Sequence, residues 1–319
     1  MSLSRLLRLV VAVGLTAFVL YNANPAQVLS VVVHADIRWI AAAVGLVLID
    51  RTLMAFRWID LLSALTPGSR PPFPVVLRIF FVSSFVSNFV PSVAADMYRA
   101  YALARHDVHL AESTASVLMD RVLGVLSMAI VGAAALIVAV RVVEQRGLVA
   151  GLAIAFAGCG VAALVVFSER ASVLVQRFAS LVPIASVRAM TVALTDAVRR
   201  YATHHGELTR VLAMSILVQV ARILQAWCLG RALGIELPLA AYFAYLPVIM
   251  LVMQVPVTIN GFGTTQVAFE RLFVPAGVPE PQTFALSVLF LALGVIGSLP
   301  GGFLYAFSPP GPSPRESRA

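Results

Sequence analysis

The stretch NFVPSVAADMYRAYALAR, residues 88–105, joins an apolar run to charged side chains across a single proline. Proline removes a backbone donor and disfavours helical geometry at the residue before it, so a helix is expected to end at Pro91. Ser92 is of a type that caps helix N-termini, and Asp96 and Arg99 then lie three residues apart on one face of a second helix. The stretch therefore predicts a helix that breaks inside a membrane and resumes with charges beyond the break.

The composition of the whole chain is that of an integral membrane protein. Of its 319 residues, 60% are hydrophobic and 12% are charged, and the mean hydropathy is +0.94. Soluble domains carry about 25% charged residues. Several segments reach the ~20 apolar residues that cross the hydrocarbon layer as a helix. The alternating strand patterns of a β-barrel are missing. We therefore expect an all-α, polytopic helical bundle in one domain, residues 1–307, followed by a disordered Pro/Ser-rich tail, residues 308–319.

Six segments are predicted to cross the membrane completely: residues 6–22, 39–62, 116–140, 147–168, 211–230 and 282–307. The first resembles a signal peptide with a cleavage site near Ala23, but we favour an uncleaved helix. Two further apolar segments, residues 74–91 and 239–273, are interrupted by Pro, Gly, Asn and Ser. We expect them to form two opposed re-entrant hairpins. The polar connection at about 170–205 predicts an amphipathic helix on the inner surface, docked on the bilayer or on a partner protein.

The arginines set the expected orientation. All 23 basic residues are arginine, and the formal net charge is +8. They concentrate in segments that become cytoplasmic when the N-terminus is inside, in agreement with the positive-inside rule. Both termini are then cytoplasmic, the first hairpin enters from the cytoplasm, and the second enters from outside. Because the surplus lies in short loops, anionic lipid headgroups are expected partners and nucleic acid is not. Cys159 and Cys228 offer no disulfide framework or metal spacing, and no cofactor or metal is expected.

The second interrupted segment repeats the pattern of the first. Its helix breakers are Pro256, Asn260, Gly261 and Gly263. Thr264 or Thr265 is suited to cap a new helix, on which Gln266 lies four residues before Glu270. No strand surrounds the Gly-x-Gly, so it is not read as a nucleotide-binding fingerprint. Broken helices that meet near the membrane midplane are typical of alternating-access transporters.

Charged residues also lie deep within the predicted spans. One span carries Asp50, Arg51, Arg57 and Asp60, and we expect its arginines to pair with the carboxylates of their own helix. Arg222 lies at the centre of another span, where an arginine costs ~2.5–3.5 kcal/mol on insertion scales. It should face the bundle and bind Asp96, Asp120 or a ligand phosphate.

Two interpretations of Asp96 and Arg99 remain open. A helix N-terminus attracts anions, and Arg99 could complete a phosphate clamp with Asp96 as its orienting partner. Alternatively, the two residues form an interfacial ion pair on a cytoplasmic loop.

The motifs and their order resemble a known family. Asn88-x-x-Pro91-Ser92 is followed by Asp96-x-x-Arg99, by S-V-L-x-D-R-x-x-G with Asp120 and Arg121, by Asn260-Gly-Phe-Gly, and by SLPGG at 298–302. Over nearly the whole chain this looks like the lysylphosphatidylglycerol synthase transmembrane-domain family of flippase-like proteins. The family usually carries glycines where this chain has Ala94 and Ala95, and an Arg-Glu pair where it has Thr265 and Gln266.

The resemblance implies a multi-pass protein of the bacterial cytoplasmic (inner) membrane that translocates or handles an anionic lipid or a lipid-linked substrate. The alternative is a membrane enzyme or enzyme subunit in lipid aminoacylation or lipid-linked glycan transfer. No long polar segment suits a synthase domain and no catalytic motif is found, so an enzyme is not expected. A second copy or a lipid-modifying enzyme is a candidate partner. The candidate substrate-binding residues are Asn88, Pro91, Ser92, Asp96, Arg99, Asp120, Arg121, Arg222, Asn260, Gly261, Gly263 and Gln266.

Overall fold

The computed structural model describes residues 35–66, 71–90, 92–106, 108–142, 203–254 and 263–306, with isolated positions at 33, 153–154, 156–158, 161, 192, 196–197 and 199–201. Within these residues the regular elements are all helices. They are α1 (Ile37–Leu65), α2 (Phe73–Val86), α3 (Ser92–Ala104), α4 (Leu110–Val142), α5 (His205–Ala232), α6 (Leu239–Gln254), α7 (Thr264–Phe273) and α8 (Glu280–Ala306). The predicted all-α class is confirmed.

Four of these helices are long and apolar enough to cross a membrane: α1, α4, α5 and α8. They coincide with four of the six predicted spans. The other two, at 6–22 and 147–168, lie outside the described residues apart from isolated positions. The same holds for the connection at 170–205 and the tail at 308–319. The number of six full spans therefore stays a prediction.

An antiparallel pair, α1 and α5, forms the centre of the bundle and packs together along its whole length. At one end the Asp36 N–H donates to the Ala232 carbonyl, and at the other Arg210 binds Asp60. Helix α4 packs against both of them. Because α1 and α5 run in opposite directions, the end of one lies beside the start of the other, and the two ends of the bundle are clearly defined.

Helices α2 and α3 form a hairpin that opens where α1 ends. Phe73, at the start of α2, contacts Phe56 of α1 with ring centroids 5.1 Å apart. The tip reaches α8, where Asn88 Nδ2 donates to Ser298 Oγ at 2.8 Å. Helix α3 then returns toward the start of α4, where the Ser113 hydroxyl donates to the Ala100 carbonyl. These contacts agree with the first predicted hairpin.

Close packing of α2 on α8 depends on a glycine. A Cβ at Gly301 would lie 1.9 Å from the Phe81 carbonyl oxygen, so there is no room for a side chain at this position. Helix α8, which also binds the tip of the first hairpin, is therefore in backbone contact with α2.

Helices α6 and α7 form the second hairpin, which opens where α5 ends. Phe273, the last residue of α7, contacts Tyr242 and Tyr245 near the start of α6, with ring centroids 5.3 Å apart in both pairs. At the start of α8, Gln282 Nε2 donates to the Leu233 carbonyl just after α5. Since α5 and α1 are antiparallel, the two hairpins open toward opposite ends of the bundle, as expected.

The N-terminus of α7 corrects one expectation. Its N-cap is Gly263 with φ +88°, and the Gly263 N–H donates to Gln266 Oε1 at 2.6 Å. A positive φ suits glycine and strains other residues, so neither Thr264 nor Thr265 takes the cap position. Thr265 instead lies fully buried inside the helix.

Candidate functional site

Five helices, α1 to α5, line a partly open cavity of about 250 Å³ that we call cavity A. The charged residues that line it are Arg51, Arg57, Asp96, Arg99, Asp120, Arg121 and Arg222. Serines of α2 form part of the opposite wall. Among the described residues, five guanidinium groups therefore face two carboxylates, and the cavity carries an excess of positive charge.

Arg57 and Asp120 form the buried base of cavity A. Arg57 Nε lies 2.7 Å from Asp120 Oδ1, and both side chains are 5% exposed. Arg57 also donates to the Ser215 hydroxyl at 3.0 Å. The expectation that Arg57 pairs with a carboxylate of its own helix was wrong. Packing of α4 on α1 brings Asp120 to Arg57, whereas Asp60 faces Arg210 at 2.9 Å.

Arg99 lies against this pair with much of its hydrogen-bonding capacity unused. Its NH1 is 3.5 Å from Asp120 and 3.9 Å from Asp96, and its guanidinium lies 4.2 Å from the centre of the Trp58 ring. Its Nε and NH2 are buried, and neither has a hydrogen-bond partner within the described part of the chain. A buried guanidinium in this state is suited to bind a further anion.

Asp96 binds Arg121 more closely than Arg99. The Arg121 Nε donates directly to Asp96 Oδ2, and the two side chains are 39% and 20% exposed. Asp96 is thus the partner of an arginine on α4, at the rim of cavity A. Its predicted role as the residue that orients Arg99 has little support from the 3.9 Å distance between them.

Arg222 lies further along the bundle and pairs with a different carboxylate from those expected. Its Nε is 3.2 Å from Asp50 Oδ1, and its NH2 is 3.0 Å from the Met54 sulfur. The expectation that Arg222 pairs with Asp96 or Asp120 was wrong. These two carboxylates lie level with Arg57, toward the start of α5. Arg51 also lacks a carboxylate of its own helix as hydrogen-bond partner, and its NH2 donates instead to the Gly294 carbonyl at 3.2 Å.

A second cavity of about 300 Å³, cavity B, continues from cavity A. The two share Arg51, Ser84, Ser87 and Arg222. Cavity B adds the polar residues Asp50, Asn88 and Gln225 and an apolar wall that includes Met128, Met250, Met253 and Phe290.

Among the described residues, no group of three His, Cys, Asp or Glu side chains is placed to hold a metal ion.

The structure brings together about half of the residues that the sequence singled out. Cavity A is lined by Asp96, Arg99, Asp120, Arg121 and Arg222, and Asn88 lines cavity B. Helix α3 begins at Ser92, whose side chain is not among those described. Pro91, Asn260 and Gly261 lie outside the described residues. Gly263 and Gln266 cap α7 and do not line either cavity. A substrate role for any of these residues stays a prediction.

Sequence reasoning missed the contributions of Arg51 and Arg57, which it assigned to pairs within their own helix. It also missed the serines at 83, 84 and 87, which place hydroxyl groups on the cavity side of α2. A run of serines at helical spacing inside an apolar segment was the available signal for the second group.

The fold and the cavities define a polytopic helical membrane protein with a buried, arginine-rich polar centre. The family model described as the lysylphosphatidylglycerol synthase TM region matches residues 5–301, and the chain belongs to this family. The resemblance seen in the motifs is thereby confirmed. No curated protein matches the sequence.

Proposed function

We propose that the protein binds the phosphate-bearing headgroup of an anionic lipid or lipid-linked substrate in cavity A and translocates it across the bilayer. The observation that carries this proposal is Arg99, which is 7% exposed and has two guanidinium nitrogens without hydrogen-bond partners among the described residues. An unpartnered buried donor costs about 1–3 kcal/mol, and more when it is charged. A phosphate oxygen at this position would remove that cost.

The charge balance of cavity A supports an anion over a cation or a neutral group. Asp120 is shared between Arg57 and Arg99, and Asp96 is engaged by Arg121. The positive surplus that remains favours a ligand with a negative charge. Guanidinium groups bind phosphate through two parallel hydrogen bonds, so several arginines around one cavity suit a phosphate ester.

The outer face of α3 supports a lipid as the carrier of the phosphate. Met97 and Tyr101 are each 54% exposed, while Arg99 on the same helix is buried. A headgroup can therefore enter past this apolar surface while its acyl chains remain in the lipid. The family description also refers to the membrane region of a lipid-modifying synthase, which favours a lipid substrate.

The two opposed hairpins support movement of the ligand as well as its binding. Hairpins that meet near the midplane from opposite sides are the arrangement found in many alternating-access transporters. We place the protein in the bacterial cytoplasmic membrane with both termini in the cytoplasm, on the arginine bias of the sequence.

The test uses proteoliposomes of phosphatidylcholine that contain a trace of phosphatidylglycerol with a fluorescent acyl chain. Dithionite added outside reduces the label in the outer leaflet only. The loss of fluorescence therefore measures how much labelled lipid moves between the leaflets. The wild-type protein should move the label faster than empty liposomes do. Arg99→Lys should be impaired although it keeps the charge, because an ammonium group does not reproduce the two-pronged contact of guanidinium.

Arg210→Gln is the matched control, since Arg210 pairs with Asp60 at the surface with 60% of its side chain exposed. It should retain wild-type movement. Movement by the Arg99→Lys variant at the wild-type rate would contradict the headgroup contact. Absence of movement by the wild-type protein, or conversion of the lipid to a product seen by mass spectrometry, would contradict translocation as the function.

A further inference from the structure

The guanidinium group of Arg99 has one open edge. In any arginine, Nε and the terminal nitrogen NH2 lie on the same edge and point their hydrogens the same way, so this edge can bind two oxygens of one acceptor group. In Arg99 both of these atoms are buried without a hydrogen-bond partner among the described residues. The other terminal nitrogen, NH1, faces Asp120 at 3.5 Å and Asp96 at 3.9 Å. The carboxylates therefore hold one end of the group and leave the Nε–NH2 edge open.

Two aromatic rings restrain the same guanidinium group. It lies over the Trp58 ring, 4.2 Å from the ring centre, and over the Phe80 ring, 5.3 Å from the ring centre. Trp58 is fully buried and, unlike Phe80, does not line cavity A. An aromatic ring attracts a cation that lies over its face and takes up none of the cation's N–H groups. Trp58 thus restrains Arg99 without occupying the donors that a ligand needs.

Trp58 is itself fixed by hydrogen bonds that join three helices. Its Nε1 donates to the Ser116 hydroxyl at 3.2 Å, and this hydroxyl donates to the Ser113 carbonyl at 2.8 Å. The Ser113 hydroxyl donates in turn to the carbonyl of Ala100, the residue after Arg99, at 3.0 Å. The contacts therefore run from the backbone of α3 through α4 to α1 and return to α3 through the guanidinium group. This closed set of contacts fixes Arg99 at both its backbone and its charged end.

We propose that Trp58, oriented by Ser116, is a positioning residue for the anion site, and that it holds Arg99 with the Nε–NH2 edge open to two oxygens of one phosphate group. This inference rests on the proposed function, because it concerns the arginine assigned to the headgroup. It adds a specificity: a phosphate ester offers two terminal oxygens on one atom, whereas a hydroxyl offers a single acceptor. Because the side chain is oriented before the ligand arrives, little rotamer freedom is lost on binding.

The first experiment measures the affinity of the site for the headgroup separately from the rate. Proteoliposomes of phosphatidylcholine carry a constant trace of fluorescent phosphatidylglycerol, and unlabelled phosphatidylglycerol is raised until movement of the trace is halved. Loss of folded protein lowers the rate but does not change this halving fraction. A shift in the halving fraction therefore reports on the site.

Trp58→Leu and Trp58→Phe are a matched pair for this measurement. Both lose the indole N–H and some volume, but only phenylalanine keeps an aromatic ring. Trp58→Leu should raise the halving fraction about three- to tenfold, as expected for loss of a buried cation–π contact, and Trp58→Phe should recover most of this loss. Ser116→Ala removes the acceptor of the Trp58 N–H and almost no volume, and it should shift the fraction in the same direction as Trp58→Leu.

Two further variants control for bulk and for charge. Trp227 packs edge-on against Trp39 and lines neither cavity, so Trp227→Leu should keep the wild-type halving fraction. Arg99→Lys keeps the charge but has no planar edge to orient. In Arg99→Lys protein, Trp58→Leu should therefore shift the fraction much less than it does in the wild type.

The second experiment detects the contact through the fluorescence of Trp58. The chain has three tryptophans, so the double change Trp39→Phe and Trp227→Phe leaves Trp58 alone. Its emission should differ between phosphatidylcholine nanodiscs with and without phosphatidylglycerol, because a phosphate on Arg99 weakens the field of the guanidinium at the ring. In Arg99→Gln protein this difference should disappear. The same comparison with glycerol 3-phosphate distinguishes two sources: a change with lipid alone assigns the edge to a lipid headgroup, and a change with both compounds assigns it to the phosphate group itself.

The outcomes separate the positioning role from the proposed function. Unchanged halving fractions in Trp58→Leu and Ser116→Ala, with normal movement by the wild type, would overturn the positioning role and leave the proposed function intact. Equal shifts in Trp58→Leu and Trp58→Phe would assign the effect to lost packing and also overturn it. So would Trp58 emission that neither phosphate compound alters in protein that moves lipid. Absence of both lipid movement and any change in emission would overturn the inference and the proposed function together.

Discussion

At the scale of single residues, carboxylates that are shared between arginines organise the polar centre. Asp120 contacts Arg57 at 2.7 Å and Arg99 at 3.5 Å. On the same two helices, α1 and α4, Trp58 Nε1 donates to the Ser116 hydroxyl at 3.2 Å. A buried charge is stable only when its partner and its hydrogen bonds are present, so this one carboxylate holds two arginines in place.

Replacement of this carboxylate should be costly. In Asp120→Asn, Arg57 and Arg99 lose their shared counter-charge inside the bundle, and removal of one partner from a buried ion pair costs ~3–5 kcal/mol. We expect a large drop in membrane abundance and in the melting temperature of the purified protein in detergent.

Asp60→Asn is the matched control for this change. Asp60 also pairs with an arginine, Arg210, but that side chain is 60% exposed. Exposed ion pairs contribute about 0–1 kcal/mol, so the control should express and melt nearly as the wild type does. Equal stability of the Asp120→Asn and wild-type proteins would mean that the buried cluster does not hold the fold.

At the scale of elements, the hairpin of α2 and α3 is held from two sides. Its tip is fixed to α8 through Asn88, and the middle of its first arm approaches α8 closely where Phe81 meets Gly301. Arg99 on its second arm reaches the charges of α4. The hairpin thus joins the helix beside cavity B to the residues at the base of cavity A. A change in its position would alter both cavities together.

Gly301→Ala tests this attachment. The added methyl group would meet the Phe81 carbonyl at 1.9 Å, and backbone atoms cannot yield as a side chain would, so α2 must move away from α8. We expect a loss of stability of roughly 1–3 kcal/mol, the range for over-packed positions, measured by thermal unfolding in detergent.

Gly45→Ala on α1 is the control, because a Cβ there has no atom within 4 Å. Alanine favours a helix over glycine by about 0.5–1 kcal/mol, so this variant should be as stable as the wild type or slightly more stable. If Gly301→Ala behaved in the same way, the contact between the hairpin and α8 would not be tight in the folded protein.

At the scale of the whole molecule, the sequence predicted the elements better than their partners. Apolar length and the breaks at Pro and Gly located the four long helices and both hairpins, because these depend on local composition and on the thickness of the bilayer. The arginine bias, combined with the need for each hairpin to return, gave hairpins that open toward opposite ends of the bundle. Those features are fixed by short stretches of chain.

The ion pairs were harder because they depend on how helices pack. Spacing along one helix suggested Asp50 and Asp60 as partners for Arg51 and Arg57. Instead, Asp120 of α4 binds Arg57, and the Gly294 carbonyl of α8 accepts a hydrogen bond from Arg51. Arg222 was expected near Asp96 or Asp120, but it lies further along α5, level with Asp50. A motif also does not fix depth: Gly263 belongs to the family-like Asn260-Gly-Phe-Gly motif, and the structure places it at a helix cap.

The orientation of the bundle in the membrane can be tested within one helix, α5. Thr209 lies near its start and Glu236 just after its end, and both are exposed. The positive-inside rule places Thr209, beside Arg210, in the cytoplasm and Glu236 outside. In a chain with Cys159 and Cys228 replaced by alanine, a membrane-impermeant maleimide applied to intact cells should label Glu236→Cys and not Thr209→Cys. Permeabilised cells should label both, which controls for the reactivity of each thiol. Labelling of Thr209→Cys alone in intact cells would invert the topology, so that the first hairpin and cavity A would open to the outside and cavity B would lie on the cytoplasmic side.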